Sequence, residues 1–91
     1  MFTDSDIAHL RQSPYVILQI NHHDVSIHSG LTGHDWIIIS YYGSSDCYIL
    51  HRHSKRVPYH RQKGTYRSLN DALKYIDGHE EWFTRYKSNI E

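Results

Sequence analysis

Residues 36–42 read WIIISYY, and this run is the strongest strand signal in the chain. All but Ser40 are aromatic or β-branched, the residue types that fit the pleated, half-buried surface of a sheet. The next four residues, Gly43-Ser44-Ser45-Asp46, favour a tight turn. A second strand pattern then covers residues 47–53. Together the two runs predict an antiparallel hairpin.

A second hairpin is predicted on the N-terminal side of this one. Residues 15–20 are rich in β-branched side chains, and residues 25–28 alternate between apolar and polar types. The Asn and Asp of residues 21–24 suit the turn between the two strands. Further upstream, residues 4–12 suit a short helix that Pro14 stops.

The C-terminal part of the chain predicts a helix. Ser68 suits the N-cap position. Four apolar residues then follow at the spacing i, i+3, i+4, i+7 of one helical stripe, namely Leu69, Ala72, Leu73 and Ile76. Gly78 is expected to end or bend this helix. The sequence therefore predicts an α+β class, with a single antiparallel sheet of about four strands (two hairpins), a short N-terminal helix and a C-terminal helix. Its 91 residues predict one domain, residues 1–91.

The segment between the last hairpin and the C-terminal helix is less regular. Pro58 forbids a central strand, so residues 57–62 are expected to form an edge strand or a loop. An uncovered strand there would be able to pair with a second copy of the chain, so a homodimer through this edge is one expectation.

Charge is distributed unevenly along the chain, although the net formal charge is zero. Residues 47–70 contain six Lys and Arg and no Asp or Glu, whereas residues 1–46 carry a net charge of −4 and residues 71–91 a net charge of −2. A concentrated basic segment with interleaved tyrosines indicates a partner that carries phosphate or an acidic surface. The predicted partner is nucleic acid (RNA or DNA) or a nucleic-acid-handling protein complex. The predicted binding residues are Arg52, Lys55, Arg56, Tyr59, His60, Arg61, Lys63, Tyr66 and Arg67.

Histidine is abundant, with nine residues in the chain. His51 and His53 alternate on one predicted strand face, a spacing that metal sites use, and His60, the pair at residues 22–23 or Asp46 would be able to add ligands. The chain has no Cys pair and no His-Glu-x-x-His pattern, so no metal ligand and no cofactor are predicted. No catalytic residue is assigned, and enzymatic activity is not expected. His51, His53 and His60 would be the candidates for metal-free RNA cleavage by general acid and base.

One family resemblance bears on that last chemistry. The run Gly43-Ser44-Ser45…Val57-Pro58-Tyr59-His60…Gly64-Thr65-Tyr66-Arg67-Ser68-Leu69 resembles the tail of HicA-type mRNA-cleaving toxins. The resemblance covers about a third of the chain. It implies a small fold like that of double-stranded-RNA-binding domains. The toxin's histidine after Gly-Ser falls here at Ser45 or Asp46, so the resemblance does not carry the cleaving residue.

Three function classes follow from these observations. The first is a small binding protein that contacts nucleic acid through residues 51–67. The second is a phage or mobile-element inhibitor, of anti-CRISPR type, that binds a nuclease complex by protein contacts. The third is a His-dependent ribonuclease of toxin type. A lone cysteine, Cys47, excludes an internal disulfide framework, and residues 1–10 carry no signal-peptide pattern. A cytoplasmic protein without a membrane segment is expected.

Overall fold

The computed structural model describes residues 1–87 and shows one antiparallel sheet with a helix at each end of the chain. The elements are α1 (Asp4–Arg11), β1 (Val16–Ile20), β2 (Asp24–His28), β3 (Asp35–Ser40), β4 (Cys47–Arg52), β5 (His60–Arg61) and α2 (Leu69–Trp82), and a π-helical segment (Phe83–Lys87) continues α2. The strands lie in the order β1-β2-β3-β4-β5. The predicted α+β class is confirmed, with five strands instead of about four.

The extra strand comes from the segment around Pro58. β5 is only two residues long and pairs with the end of β4, where Leu50 faces Arg61 and His51 faces His60. Pro58 precedes it, so the missing amide donor of proline does not interrupt the ladder. β5 is therefore an edge strand.

The sheet buries one of its faces against the helices. Side chains from β2, β3 and β4 on this face are fully buried, and so is the apolar stripe of α2. The core cluster contains Val25, Ile27, Trp36, Ile38, Cys47, Ile49, Leu69, Ala72, Leu73 and Ile76, with Phe2 and Leu10 from the N-terminal region. His51 lies on the same helix-covered face of the sheet, because side chains alternate along a strand and Cys47, Ile49 and His51 of β4 therefore point the same way.

Side-chain caps fix where both helices begin. The hydroxyl of Thr3 accepts a hydrogen bond from the amide of Asp6, whose carboxylate accepts one from the amide of Thr3. The Ser68 hydroxyl accepts from the amide of Asp71, as the N-cap prediction requires.

The expected end of the helix at Gly78 is wrong, because α2 continues through it to Trp82. Gly78 is exposed, while Ile76 and Glu80 on either side of it are buried. Packing of the flanking turns thus outweighs the roughly 1 kcal/mol by which glycine weakens a helix interior. Within residues 1–87, no helix is both long and apolar enough to cross a membrane.

Candidate functional site

Residues 53–67, which we call the basic edge, form one border of the sheet. After β5 the chain continues beside β4: the amide of Gln62 donates to the carbonyl of Ile49 at 2.9 Å, and Tyr66 pairs with Cys47. The border strand and the loops at its two ends thus line a single side of the molecule. The basic residues of this segment therefore follow one border of the sheet.

Most cations of this region have no acidic partner. Among the side chains of residues 1–86, the ion pairs are His22–Asp4, His28–Asp35, Arg52–Asp35 and Arg85–Glu81. Of the six cations between residues 47 and 70, Arg52 alone therefore contacts a carboxylate in the described part of the chain. The other five are exposed, namely Lys55, Arg56, Arg61, Lys63 and Arg67. Their charge is available to a partner.

Arg52 stabilises the fold through its contact with a buried carboxylate. Its Nε donates to Oδ2 of Asp35 at 2.9 Å, and Nδ1 of His28 contacts Oδ1 of the same carboxylate at 2.7 Å. Asp35 is completely buried. Burial alone would raise the pKa of Asp35, but the hydrogen bonds from His28 and Arg52 and their charges outweigh it and lower that pKa. The guanidinium of Arg52 also lies 4.4 Å from the ring centre of Tyr59.

Arg61 lies on the sheet face opposite the helices. Its guanidinium is 4.5 Å from the ring centre of Tyr48 and donates a hydrogen bond to the hydroxyl of Tyr41. The rings of Tyr41 and Tyr48 are 5.2 Å apart. Tyr42, in the turn after β3, is fully exposed. Tyr48 is one of the tyrosines interleaved with the basic segment in the sequence, whereas Tyr41 and Tyr42 were not expected at the site. The sequence feature that indicates these tyrosines is their position on, or just after, the strands of the hairpin that precedes the basic segment.

The remaining predicted binding residues have mixed positions. Tyr66 is half-buried, packs 5.4 Å from the ring of Tyr75 on α2 and donates to the carbonyl of Lys63. Burial raises the pKa of Tyr66, and burial likewise raises that of Tyr59. These two tyrosines therefore anchor the basic edge to the fold. His60 is exposed in β5, beside Arg61.

A second constellation lies at the end of the sheet where β4 finishes. His34, His51 and His79 come from the loop before β3, from β4 and from α2, and one ligand nitrogen of each lies within 4.8 Å of the others. Nε2 of His51 is 2.9 Å from Nδ1 of His34. We call these three residues the histidine cluster. His53, paired with His51 by the sequence pattern, is exposed, and its ring centre is 6.5 Å from that of His34.

Local structure explains how His34 reaches the cluster. The amide of Gly33 donates to the carbonyl of Ser29, and the carbonyl of His34 accepts from the amide of Ser29 at 2.9 Å. Gly33 has φ +78°, the left-handed region that glycine adopts without strain. This tight loop turns the chain so that His34 is 2 % exposed, with its ring centre 4.5 Å from that of Phe83.

Burial favours the neutral form of two of the three imidazoles, those of His34 and His51. Burial, followed by the neighbouring histidines, lowers the pKa of His51 to about 4. Burial also lowers the pKa of His34, although the charge of Glu80 opposes that shift. Nδ1 of His79 is buried without a hydrogen-bond partner, and so is Oε2 of Glu80. A pocket of about 410 Å³ adjoins the cluster and is lined by Thr32, His53, Trp82 and Phe83 as well as by the cluster itself.

Of the other ligand candidates, His60 is the cross-strand partner of His51 in β5, and the remaining three lie away from the cluster. His22 contacts Asp4. The carbonyls of His23 and Asp46 accept from the amides of Ser40 and Tyr41, at the other end of β3. The sequence did contain a signal for His79: together with Glu80 it continues the stripe of Leu73 and Ile76 at i+3 and i+4. For His34 no sequence pattern indicated burial.

No family model matches the chain, and neither a curated protein nor a solved structure matches it.

Proposed function

We propose that this chain is a non-catalytic protein that binds nucleic acid along the basic edge. The observation that carries the proposal is the display of five exposed cations on one side of the sheet without a carboxylate partner among the side chains of residues 1–86. Lys and Arg side chains that neutralise phosphates supply most of the affinity in such complexes. In this proposal Lys55, Arg56, Arg61, Lys63 and Arg67 contact phosphates. Arg52, Tyr59 and Tyr66 hold the edge in place.

The aromatic side chains beside the edge favour a single-stranded ligand. Unpaired bases stack on tyrosine rings and on guanidinium planes. Arg61 already covers one side of Tyr48, so it presents its own outer surface to a base. Tyr42 offers a fully exposed ring on the same hairpin. Phosphates along the edge and bases on this face form one continuous path for a strand.

Fluorescence anisotropy with labelled single-stranded RNA, single-stranded DNA and duplex DNA, over a series of salt concentrations, tests the proposal. On single strands, log K falls with log salt by about 0.7 per neutralised phosphate, so five contacts give a slope of about −3.5. Arg56→Gln and Lys63→Gln should each reduce the magnitude of that slope by about 0.7 and weaken binding about fivefold. Absence of saturable binding to all three ligands at low salt would overturn the proposal.

Matched controls are available elsewhere on the surface. Arg11 on α1 and Lys74 on α2 are exposed cations outside the basic edge. Arg11→Gln and Lys74→Gln remove the same charge and should leave the slope unchanged. If they weaken binding as much as the edge variants do, net charge alone attracts the ligand and the edge is not a site.

The same preparation separates the two alternative functions. A stoichiometric complex with a nuclease assembly, recovered after nuclease treatment and without binding to free nucleic acid, supports the inhibitor of anti-CRISPR type. Cleavage of RNA that is lost in His51→Ala, His53→Ala or His60→Ala supports the ribonuclease. The pKa of His51, about 4, is far from the near-neutral value that suits a general acid or base, which disfavours His51 in that role.

Two further expectations belong to this proposal. We place the protein in the cytoplasm, where nucleic acid is accessible. The outer side of β5 has no strand beside it within the described residues, so a second copy pairing there would double the basic surface. Sedimentation velocity with and without nucleic acid measures whether the chain dimerises.

A further inference from the structure

We propose that His34, His51 and His79 form a site for a divalent transition metal, with zinc as the expected ion. Three imidazoles from three different elements converge with one ring nitrogen each within 4.8 Å of the others. Imidazole nitrogens without thiolates or several carboxylates favour zinc and its first-row neighbours over calcium or magnesium. The three ligands lie outside residues 53–67, and the site does not depend on the function proposed for the basic edge.

The spacing is close to that of a metal centre. In a tetrahedral zinc site with bonds of about 2.0–2.1 Å, ligand nitrogens lie roughly 3.3 Å apart. Nδ1 of His34 and Nε2 of His51 are 2.9 Å apart, and the largest separation in the set is below 4.8 Å. Side-chain rotations that move each nitrogen by about 1 Å or less therefore reach the bonded geometry. The imidazoles are on rigid supports, a strand, a helix and a tight loop, so little ordering remains to be done on binding.

A buried carboxylate gives independent support. Glu80 is 6 % exposed and accepts one hydrogen bond, from Nε1 of Trp36 at 3.1 Å. Its other oxygen is buried without a hydrogen-bond partner, and Glu80 is in none of the ion pairs among the side chains of residues 1–86. Buried carboxylates are normally paired with a cation or held near a metal. Glu80 is close enough to act electrostatically on His34, so a divalent ion in the cluster would supply the missing positive charge.

The pocket beside the cluster defines the fourth coordination position. It has a volume of about 410 Å³ and is lined by Thr32, His53, Trp82 and Phe83 in addition to the three ligands. Zinc bound by three histidines completes its tetrahedron with water or another small ligand. The pocket leaves room for that water, so the metal would keep an open position. The indole of Trp82 and the ring of Phe83 would limit access to small ligands.

Titration of metal-free, tag-free protein with Co²⁺ alone tests the site. Tetrahedral Co²⁺ bound to imidazole gives intense visible absorption bands, unlike the hexa-aqua ion. Wild-type protein should bind about one Co²⁺ per chain, show these bands and lose them when Zn²⁺ displaces the probe. His51→Gln and His79→Gln should each weaken Co²⁺ binding by about 100-fold or more, since each removes a direct ligand. His9→Gln and His23→Gln, which change exposed histidines outside the cluster, should leave the affinity within about twofold.

A measurement on the wild-type chain keeps the test decisive if a cluster variant fails to fold. Two-dimensional nuclear magnetic resonance of the imidazole nitrogens should show three histidines, and not the other six, shifting when Zn²⁺ is added. Absence of tetrahedral Co²⁺ bands in wild-type protein, or zinc-induced shifts at the exposed histidines alone, would overturn the site.

Discussion

Replacement of Arg52 by glutamine should destabilise the protein, although the sequence pattern predicts Arg52 as a binding residue. Asp35 is completely buried and Arg52 donates to it at 2.9 Å, so the substitution removes one partner of a buried carboxylate. Breaking a fully buried ion pair costs about 3–5 kcal/mol. The Arg52 side chain is 24 % exposed and His28 still contacts Asp35, so we expect the free energy of unfolding to fall by about 2–3 kcal/mol. A chain of 91 residues has a total stability of about 5–14 kcal/mol, so this loss is substantial.

Urea unfolding followed by tryptophan fluorescence measures this loss, because Trp36 is buried and changes environment on unfolding. A loss of about 2–3 kcal/mol lowers the melting temperature of a domain this size by about 10–20 °C. Arg56→Gln is the matched control, since Arg56 is exposed, and it should change stability by less than about 0.5 kcal/mol. Combining Arg52→Gln with Asp35→Asn should destabilise less than the sum of the two changes. Equal stability of Arg52→Gln and Arg56→Gln, with nucleic-acid binding lost in both, would refute the structural role of Arg52.

Three other predictions concern the core. Trp36→Phe removes the hydrogen bond to Glu80 and leaves a buried carboxylate with no donor, so unfolding in urea should show a loss of about 1–3 kcal/mol; unchanged stability would contradict that role of Trp36. Leu73→Ala should lower the free energy of unfolding by about 2–5 kcal/mol. Leu18→Ala, at a position 57 % exposed, should change stability little. Equal losses in the two variants would be inconsistent with the assigned core. Burial raises the pKa of Cys47 to about 11, so iodoacetamide at pH 8 should alkylate the native thiol far more slowly than the thiol in urea. Because the folded pKa lies above the unfolded one, stability should also fall as pH rises from about 8.5 toward 11, and a flat profile would contradict the burial.

The fold was predictable because the hydrophobic periodicity and the positions of turn and helix-capping residues agreed along most of the chain. The run at residues 36–42 and the i, i+3, i+4, i+7 stripe beginning at Leu69 each had one consistent interpretation. Strand β3 buries Trp36 and Ile38, and α2 buries the stripe, whereas the last two residues of the run lie beyond the end of β3. Gly78 was misjudged because propensity is a local preference, whereas the helix there is held by packing of residues on both sides of it.

The candidate sites were predictable only where residues are neighbours in sequence. The basic edge is contiguous, so its position followed once the strand order was known. Whether a cation is free depends on which carboxylate the fold brings to it: Arg52 lies opposite Asp35 through the β3–β4 register, 17 positions away. The histidine cluster joins residues separated by 17 and 28 positions, and only the fold places the loop before β3 and the fourth turn of α2 beside the end of β4.

Strand β4 separates the histidine cluster from Arg61, because alternate side chains point to opposite faces of the sheet. His51 faces α2 and belongs to the histidine cluster, whereas the face opposite carries Leu50, whose cross-strand neighbour is Arg61. Arg61→Gln should therefore weaken nucleic-acid binding and leave Co²⁺ affinity within about twofold, and His79→Gln should do the reverse. Anisotropy and Co²⁺ absorption on the same two preparations provide the comparison. If His79→Gln abolishes nucleic-acid binding while the protein remains folded, the ligand reaches both faces of β4, and the separation argued from strand geometry is wrong.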